Sequence, residues 1–134
     1  MTDRLFTPAD VNDLIPTLSE MMERALDHHR QASDLQHHLR DEQARIHASG
    51  GGIIDQRDWK ARAERLDGLT IEVREILKEI LALGGVTKDL EMGLVDFPGL
   101  VRNETVNQCW KYGETAVRFW HGLDEGYTQR KPLS

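Results

Sequence analysis

The chain has 134 residues, of which 39% are hydrophobic and 30% charged, as is typical of one globular domain with a well-solvated surface. Its net charge of −6 argues against binding to nucleic acid, which requires an excess of basic residues. The single cysteine, Cys109, excludes an intramolecular disulfide. The sequence contains no signal peptide and no stretch of about 18 apolar residues that could span a membrane. We therefore predict a cytoplasmic protein with neither nucleic acid nor membrane as a partner.

The first predicted helix covers residues 8–48. Thr7 can cap it, Pro8 suits its first position, and Asp10 lies three residues after the cap. Two sets of mainly apolar residues then recur every seven positions, which is the pattern of a coiled-coil seam. The seam residues are Val11, Leu14, Leu18, Met21, Ala25, His28, Ala32, Leu35, Leu39, Glu42 and Ile46. Pro16 interrupts this pattern and predicts a kink or a break.

The second predicted helix covers residues 55–84, with Asp55 as its cap and Gly84 at its end. Its seam residues are Trp59, Leu66, Leu69, Val73, Ile76, Ile80 and Leu83. Gly68 in the middle of this helix costs about 1 kcal/mol relative to alanine, and the close approach of another segment would explain it. The short Gly-rich segment 50–52 makes the two long helices antiparallel neighbours.

From residue 86 the pattern favours strands, and we predict a three- to four-stranded antiparallel sheet over residues 86–121. The predicted strands are 86–90, 93–98, 104–112 and 116–121. A tail over residues 122–134 follows. The chain 1–134 is therefore predicted to be a single α+β domain, in which a long helical hairpin carries a small sheet packed on it.

The pairing of the last two strands depends on the turn between them. If Gly113-Glu114 forms a two-residue turn, Trp110 pairs with Val117 and His121 lies on the face that packs against the helices. A three-residue turn would shift the register by one residue and reverse these faces. The face on which His121 lies is therefore conditional on this turn.

Several short motifs lie along nearly the whole chain: Leu5-Phe6-Thr7-Pro8, Val86-Thr87-Lys88-Asp89-Leu90, Gly93-Leu94-Val95-Asp96-Phe97-Pro98, Cys109-Trp110, Gly113-Glu114, Phe119-Trp120-His121 and Asp124-Glu125-Gly126. With these motifs the chain resembles an uncharacterised prokaryotic family, domain of unknown function 2203. The C-terminal motifs are specific, whereas the helices match only in pattern. The family has no assigned activity, so the resemblance implies a fold and leaves the function open.

Five of the six histidines lie on the first helix, namely His28, His29, His37, His38 and His47. None is three or four residues from another, the spacing that would place two metal ligands on one helix face. We therefore interpret them as solvated or packing residues. His28 differs because it occupies a seam position, where we expect it to pair with a carboxylate of the facing helix such as Glu75. The alternative role for His28 is a pH-sensitive contact.

The candidate site lies in the C-terminal third and consists of Asp89, Asp96, His121, Asp124 and Glu125. Carboxylates with a neutral imidazole suit a divalent transition metal or general acid–base chemistry. We expect no cofactor, with a divalent metal on Asp96, His121 and Glu125 as the alternative. The other interpretation is a structural hydrogen bond between His121 and a loop carboxylate.

Three further residues of the C-terminal third have either a functional or a structural interpretation. Trp120 and Arg118 are candidate partner-binding residues, unless the tail from Tyr127 onward covers Trp120. Cys109 has no basic neighbour that the sequence reveals, so we interpret it as a buried, unreactive thiol.

Our leading functional hypothesis is a non-enzymatic interaction or assembly domain that forms a homo-oligomer through its helical hairpin. The far end of so long a hairpin has little else to pack on. The alternative is a small metal-dependent or acid–base enzyme with its site at the C-terminal sheet. The sequence identifies no substrate and no other protein partner.

Overall fold

A computed structural model of the chain describes residues 4–48, 50 and 55–133. Within these residues the fold is α+β, as predicted, with two helices followed by a five-stranded antiparallel sheet. The elements are α1 (Pro8–Ala48), α2 (Gln56–Leu83), β1 (Val86–Asp89), β2 (Leu94–Val101), β3 (Glu104–Lys111), β4 (Phe119–His121), a 3-10 turn (Tyr127–Gln129) and β5 (Lys131–Pro132). The predicted Gly-rich turn 50–52 lies outside the described residues except for Gly50.

Both helices have the capping contacts that the sequence predicts. The Thr7 hydroxyl accepts a hydrogen bond from the Asp10 N–H at 3.1 Å, and the Asp10 carboxylate accepts one from the Thr7 N–H at 2.9 Å. These bonds keep the pKa of Asp10 below its ordinary value. Asp55 caps α2 through the N–H groups of the next turn, and Gly84 ends it with a φ of 107°.

Pro16 lies within α1 without dividing it, so the break that the sequence suggested does not occur. Proline has no N–H to donate to the carbonyl of Asn12, four residues earlier. The side chain of Asn12 makes a different contact, in which its amide oxygen accepts a hydrogen bond from the Val117 N–H at 2.8 Å. This bond ties the first helix to the loop before β4.

The hydrophobic core lies between one face of the sheet and the half of the hairpin nearest to it, residues 8–28 and 69–83. Its fully buried members include Val11, Leu18, Met22, Ala25, Ile80, Val95, Phe97 and Trp110. Val95 and Phe97 alternate with Asp96 along β2, so this strand directs apolar side chains to the helices and Asp96 to the opposite, outer face. The same alternation in β3 places Trp110 inside and Cys109 outside.

The register between β3 and β4 differs from the predicted one by one residue. Cys109 pairs with Phe119 and Asn107 pairs with His121. The expected pairing of Trp110 with Val117 is wrong, because β3 ends at Lys111 and β4 begins only at Phe119, so that a seven-residue connection replaces the predicted two-residue turn. His121 therefore lies on the outer face with Cys109 and not on the face that packs against the helices.

Two local contacts account for the long connection. The Trp110 indole N–H donates to the backbone carbonyl of Glu114 at 2.9 Å, and the Glu114 carboxylate accepts from the Lys111 N–H at 2.7 Å. These bonds turn the chain back at residues 111–114. The following residues then reach α1, where Val117 is held by Asn12. The fifth strand, which comes from the predicted tail, pairs with β4 through Lys131 and Pro132.

The far half of the hairpin, residues 29–48 and 56–68, extends past the sheet and is called the arm below. At about 1.5 Å per residue, α1 is roughly 60 Å long, so the sheet covers only part of it. Of the described residues in the arm, only Leu39 is buried. No helix among the described residues is long and apolar enough to cross a membrane.

Gly68 is expected to be suboptimal for the single chain. A methyl group at this position would meet no described atom within 4 Å, so no close approach within the chain explains the glycine. We expect Gly68→Ala to raise the free energy of unfolding by about 0.5–1 kcal/mol, because alanine loses less backbone entropy in a helix. Urea unfolding at low protein concentration measures this change.

The matched contrast is Gly84→Ala at the end of the same helix. Gly84 has a φ of +107°, and a methyl group there would overlap the ring of Phe6. This variant is expected to lose stability. A loss of stability in Gly68→Ala as well would contradict the reading of Gly68 as an exposed, unstrained position.

Candidate functional sites

A buried histidine–aspartate pair crosses the outer face of the sheet. Only 3% of His121 and 2% of Asp96 are exposed. His121 Nε2 lies 3.1 Å from Asp96 Oδ1, with which it hydrogen-bonds, and 3.1 Å from Oδ2. Oδ2 is buried and has no hydrogen-bond partner among the described residues. The pair is therefore well placed but leaves one carboxylate oxygen unsatisfied.

The other ring nitrogen of His121 fixes the proton arrangement. Nδ1 lies 2.9 Å from the carbonyl oxygen of Gly122. A carbonyl can only accept, so Nδ1 carries a proton and donates it. Nε2 is consequently the nitrogen that shares a proton with Asp96, or that offers a lone pair if another electrophile takes the place of that proton.

Cys109 completes the cluster. Cys109, in β3, pairs with Asp96 of β2 on one side and with Phe119 of β4 on the other, and only 1% of it is exposed. One ligand atom from each of Asp96, Cys109 and His121 lies within 4.8 Å of the others. Burial and the nearby Asp96 carboxylate raise the pKa of the Cys109 thiol to about 12. The thiol is therefore protonated at neutral pH and is not an activated nucleophile.

Sequence reasoning missed Cys109 as a site residue. The signal that could have revealed it is the alternation in β3, where Cys109 and Trp110 point to opposite faces. With the register shifted by one residue, the same alternation places Cys109 beside Asp96 and His121. The missing information was the length of the connection after Lys111.

A cavity of about 120 Å³ adjoins the cluster. The cluster residues line it, together with Lys88, Asn107, Leu123, Glu125, Gly126 and Tyr127. Lys88 and Leu123 are exposed, so the cavity lies close to the protein surface. The tail after β4 forms the outer wall of the cavity. The cluster therefore lies beneath the tail, and the space between them has room for a small molecule such as water.

The other predicted site residues do not join the cluster. Glu125 lines the cavity, but one carboxylate oxygen accepts from Lys131 at 2.6 Å and from the Gly122 N–H at 2.7 Å. These bonds lower the pKa of Glu125. Asp89 accepts from the Met92 N–H at 3.0 Å in the turn after β1. Asp124 is exposed.

The candidate partner-binding residues lie in β4 and just before it, and β5 separates β4 from the edge of the sheet. Trp120 is half-buried, and the ammonium of Lys131 lies 4.6 Å from the centroid of its ring. The tail therefore covers part of Trp120. Arg118 is exposed, and its carbonyl accepts from the Leu133 N–H at 2.8 Å.

An ion pair fastens the tail to the sheet. Arg130 Nη2 lies 2.9 and 2.8 Å from the two carboxylate oxygens of Glu114. Its guanidinium also lies 4.1 Å from the ring centroid of Phe119 and 4.8 Å from that of Tyr127. The charged hydrogen bonds and the two ring faces hold Arg130 against the outer face, which keeps the wall of the cavity in place.

The arm and the adjoining residues 28 and 69–72 form the second candidate site. Arg62 donates to Glu42 at 2.6 Å, and Arg65 donates to Gln31 at 2.8 Å, so polar contacts link the two helices. His28 Nε2 lies 3.3 Å from a carboxylate oxygen of Glu72, which is the partner in place of the suggested Glu75. A groove of about 500 Å³ lies between the helices at this level. Its lining includes His28, Gln31, Ala61, Arg65, Gly68 and Leu69.

Comparison with known families identifies the chain. The family model described as uncharacterized conserved protein (DUF2203) matches residues 4–133. The chain belongs to the DUF2203 family. No curated protein and no solved structure matches it. The buried cluster and the described part of the arm both lie within the range matched to DUF2203, so both are parts of this domain.

Proposed function

We propose that this DUF2203 protein is an assembly domain that forms a homodimer by packing its arm against the arm of a second copy. The observation that carries the proposal is the incomplete burial of the seam in the arm. Ala32, Leu35, Trp59 and Leu66 are all only partly buried, whereas near the sheet the same repeat has fully buried members such as Leu18 and Ile80 alternating with partly buried ones. A second apolar surface would complete their burial.

The two halves of the hairpin differ in what covers them. Near the sheet, Leu18 and Ile80 are completely buried because Val95, Phe97 and Trp110 close the third side of the seam. In the arm, the described contacts to the rest of the chain are confined to its base, where His29 lies 3.9 Å from Glu91, and beyond that point the two helices pack only on each other. Two helices alone leave one side of their seam in water, whereas four helices enclose it. A four-helix arrangement of two arms therefore supplies the missing cover.

Gly68 and the adjacent groove favour a particular contact. Gly68 and Ala61 leave room above α2 for another helix to approach closely. In a symmetric dimer whose two-fold axis passes near Gly68, the small residues of both copies would meet at the axis. The proposal assigns no reaction to this surface.

The test is the mass of the protein in solution with and without a block at Gly68. We expect light scattering to give twice the 15.3 kDa of one chain. Gly68→Arg should shift the protein to a monomer, because the new side chain has space in the single chain but fills the groove. Circular dichroism should show that helicity is retained.

Thr70→Arg is the matched control. Thr70 is exposed and lies about 200° around α2 from Gly68, so the same side chain there should leave the dimer intact. A wild-type chain that stays monomeric at high concentration would overturn the proposal. So would a dimer that tolerates Gly68→Arg as well as it tolerates Thr70→Arg.

A further inference from the structure

We infer that Asp96, Cys109 and His121 bind a zinc ion, with one coordination position open to the adjacent cavity. This inference is independent of the proposed dimer, because it concerns the outer face of the sheet and not the arm. Among the described residues, these three form the one group of histidine, cysteine and acidic side chains close enough to share a metal ion.

The spacing of the ligand atoms suits a tetrahedral site. Zinc bonds of about 2.0–2.3 Å place neighbouring ligand atoms roughly 3.3–3.8 Å apart. His121 Nε2 is already 3.1 Å from the Asp96 carboxylate, and all three ligand atoms lie within 4.8 Å of one another. The three residues come from three adjacent strands, so backbone pairing holds them in position, and small side-chain movements would suffice to admit the ion.

The contacts around His121 favour a metal. Histidine ligands usually donate their second ring N–H to a carbonyl or a carboxylate, which directs the free lone pair at the ion. In His121, Nδ1 donates its proton to the carbonyl oxygen of Gly122, and Nε2 faces the cluster. Asp96 Oδ2 adds a buried oxygen without a hydrogen-bond partner in the described chain. A cation bound here would accept lone pairs from both His121 Nε2 and Asp96 Oδ2.

The chemical types of the ligands select zinc. A thiolate with an imidazole prefers a borderline-soft ion, whereas magnesium and calcium prefer oxygen ligands alone. The Cys109 thiol would give up its proton on binding, as coordinating thiols do. One thiolate and one carboxylate would then balance the charge of Zn²⁺ within the buried site.

The cavity supplies the fourth position. Its volume of about 120 Å³ exceeds the roughly 30 Å³ that a water molecule occupies. Three protein ligands with water in the fourth position is the arrangement of catalytic zinc sites, whereas structural sites have four protein ligands. A bound zinc ion would therefore give the enzyme hypothesis its first chemical basis.

The experiment is metal analysis of the full chain purified without a histidine tag, because the histidines of α1 could bind metal at the surface. We expect about one zinc ion per chain after dialysis, with affinity that a chelator can compete. Replacement by Co²⁺ should give the charge-transfer absorption of a thiolate bound to cobalt, which reports on Cys109 directly and requires no variant.

Cys109→Ser is the diagnostic variant, because it preserves size and leaves the His121–Asp96 pair intact. We expect it to lose the cobalt–thiolate absorption and to bind zinc about 100-fold more weakly or worse, given that even outer partners of a metal contribute 10–100-fold. His29→Gln, on the surface of α1, should change neither property.

Two results would overturn the inference. One is the absence of both zinc and the cobalt–thiolate band in folded wild-type protein supplied with each metal. The other is zinc binding of unchanged affinity in Cys109→Ser, which would place the ion elsewhere, for instance on the histidines of α1. Circular dichroism of each sample separates either result from unfolding.

Discussion

Gly99→Ala is expected to lower the free energy of unfolding by about 3 kcal/mol. Gly99 lies in β2, where a methyl group would overlap the side-chain amide of Gln108 and lie 2.8 Å from the carbonyl oxygen of Phe6. That amide donates to the same carbonyl at 2.7 Å in the buried interior. The substitution therefore both overpacks the site and strains a buried hydrogen bond. Urea unfolding followed by tryptophan fluorescence measures the loss.

Two further variants test this explanation. Gly126→Ala should change stability by less than about 0.5 kcal/mol, because the nearest atom to its added methyl group lies at an ordinary contact distance of 3.8 Å. Gln108→Ala removes the overlapping amide, so Gly99→Ala should cost less in that background than alone. Equal costs in the two backgrounds would show that Gln108 is not the source of the effect.

His121→Ala is expected to destabilise the metal-free protein by about 3–5 kcal/mol. The change would remove the hydrogen-bond partner of Asp96 Oδ1 and leave both oxygens of a side chain that is 98% buried without a donor. A buried carboxylate that loses its partner bears its full desolvation cost. Unfolding in the presence of a chelator excludes any contribution from bound metal.

A double-mutant cycle with Asp96→Ala separates the pair from the packing around it. The double variant should be less destabilised than the sum of the two single variants, because removing both partners leaves no unpaired polar group. His29→Ala serves as the control, since His29 lies on the surface with only a 3.9 Å contact to Glu91. Additive costs for the pair would mean that His121 and Asp96 contribute independently.

The helices could be predicted from sequence because their signals are local. The seven-residue repeat and the caps at Thr7 and Asp55 lie within the elements they define, and both helices begin and end within one residue of prediction. The repeat could not indicate which half of the seam would be fully buried. That depends on the sheet, whose core residues Val95, Phe97 and Trp110 are distant from α1 along the chain.

The cluster could be predicted only in part because its geometry depends on distant contacts. Asp96 and His121 were recognised as suitable residue types, but their meeting requires the register between β3 and β4. That register is fixed by the loop before β4, which Asn12 holds from 105 residues away. A shift of one residue reverses the faces of a strand. Because the register was not known, the sequence also did not reveal that Cys109 belongs to the cluster.

The place of Phe6 at the centre of the fold has a consequence for how the chain folds. The backbone N–H of Phe6 donates to Pro98, and its carbonyl accepts from Gln108. The first described residues are thus joined to strands made about 100 residues later. The helical hairpin can form early from contacts between neighbouring segments, whereas the core closes only after β2 and β3 have formed. We therefore expect the slow step of folding to be the docking of β2 and β3 onto the segment around Phe6.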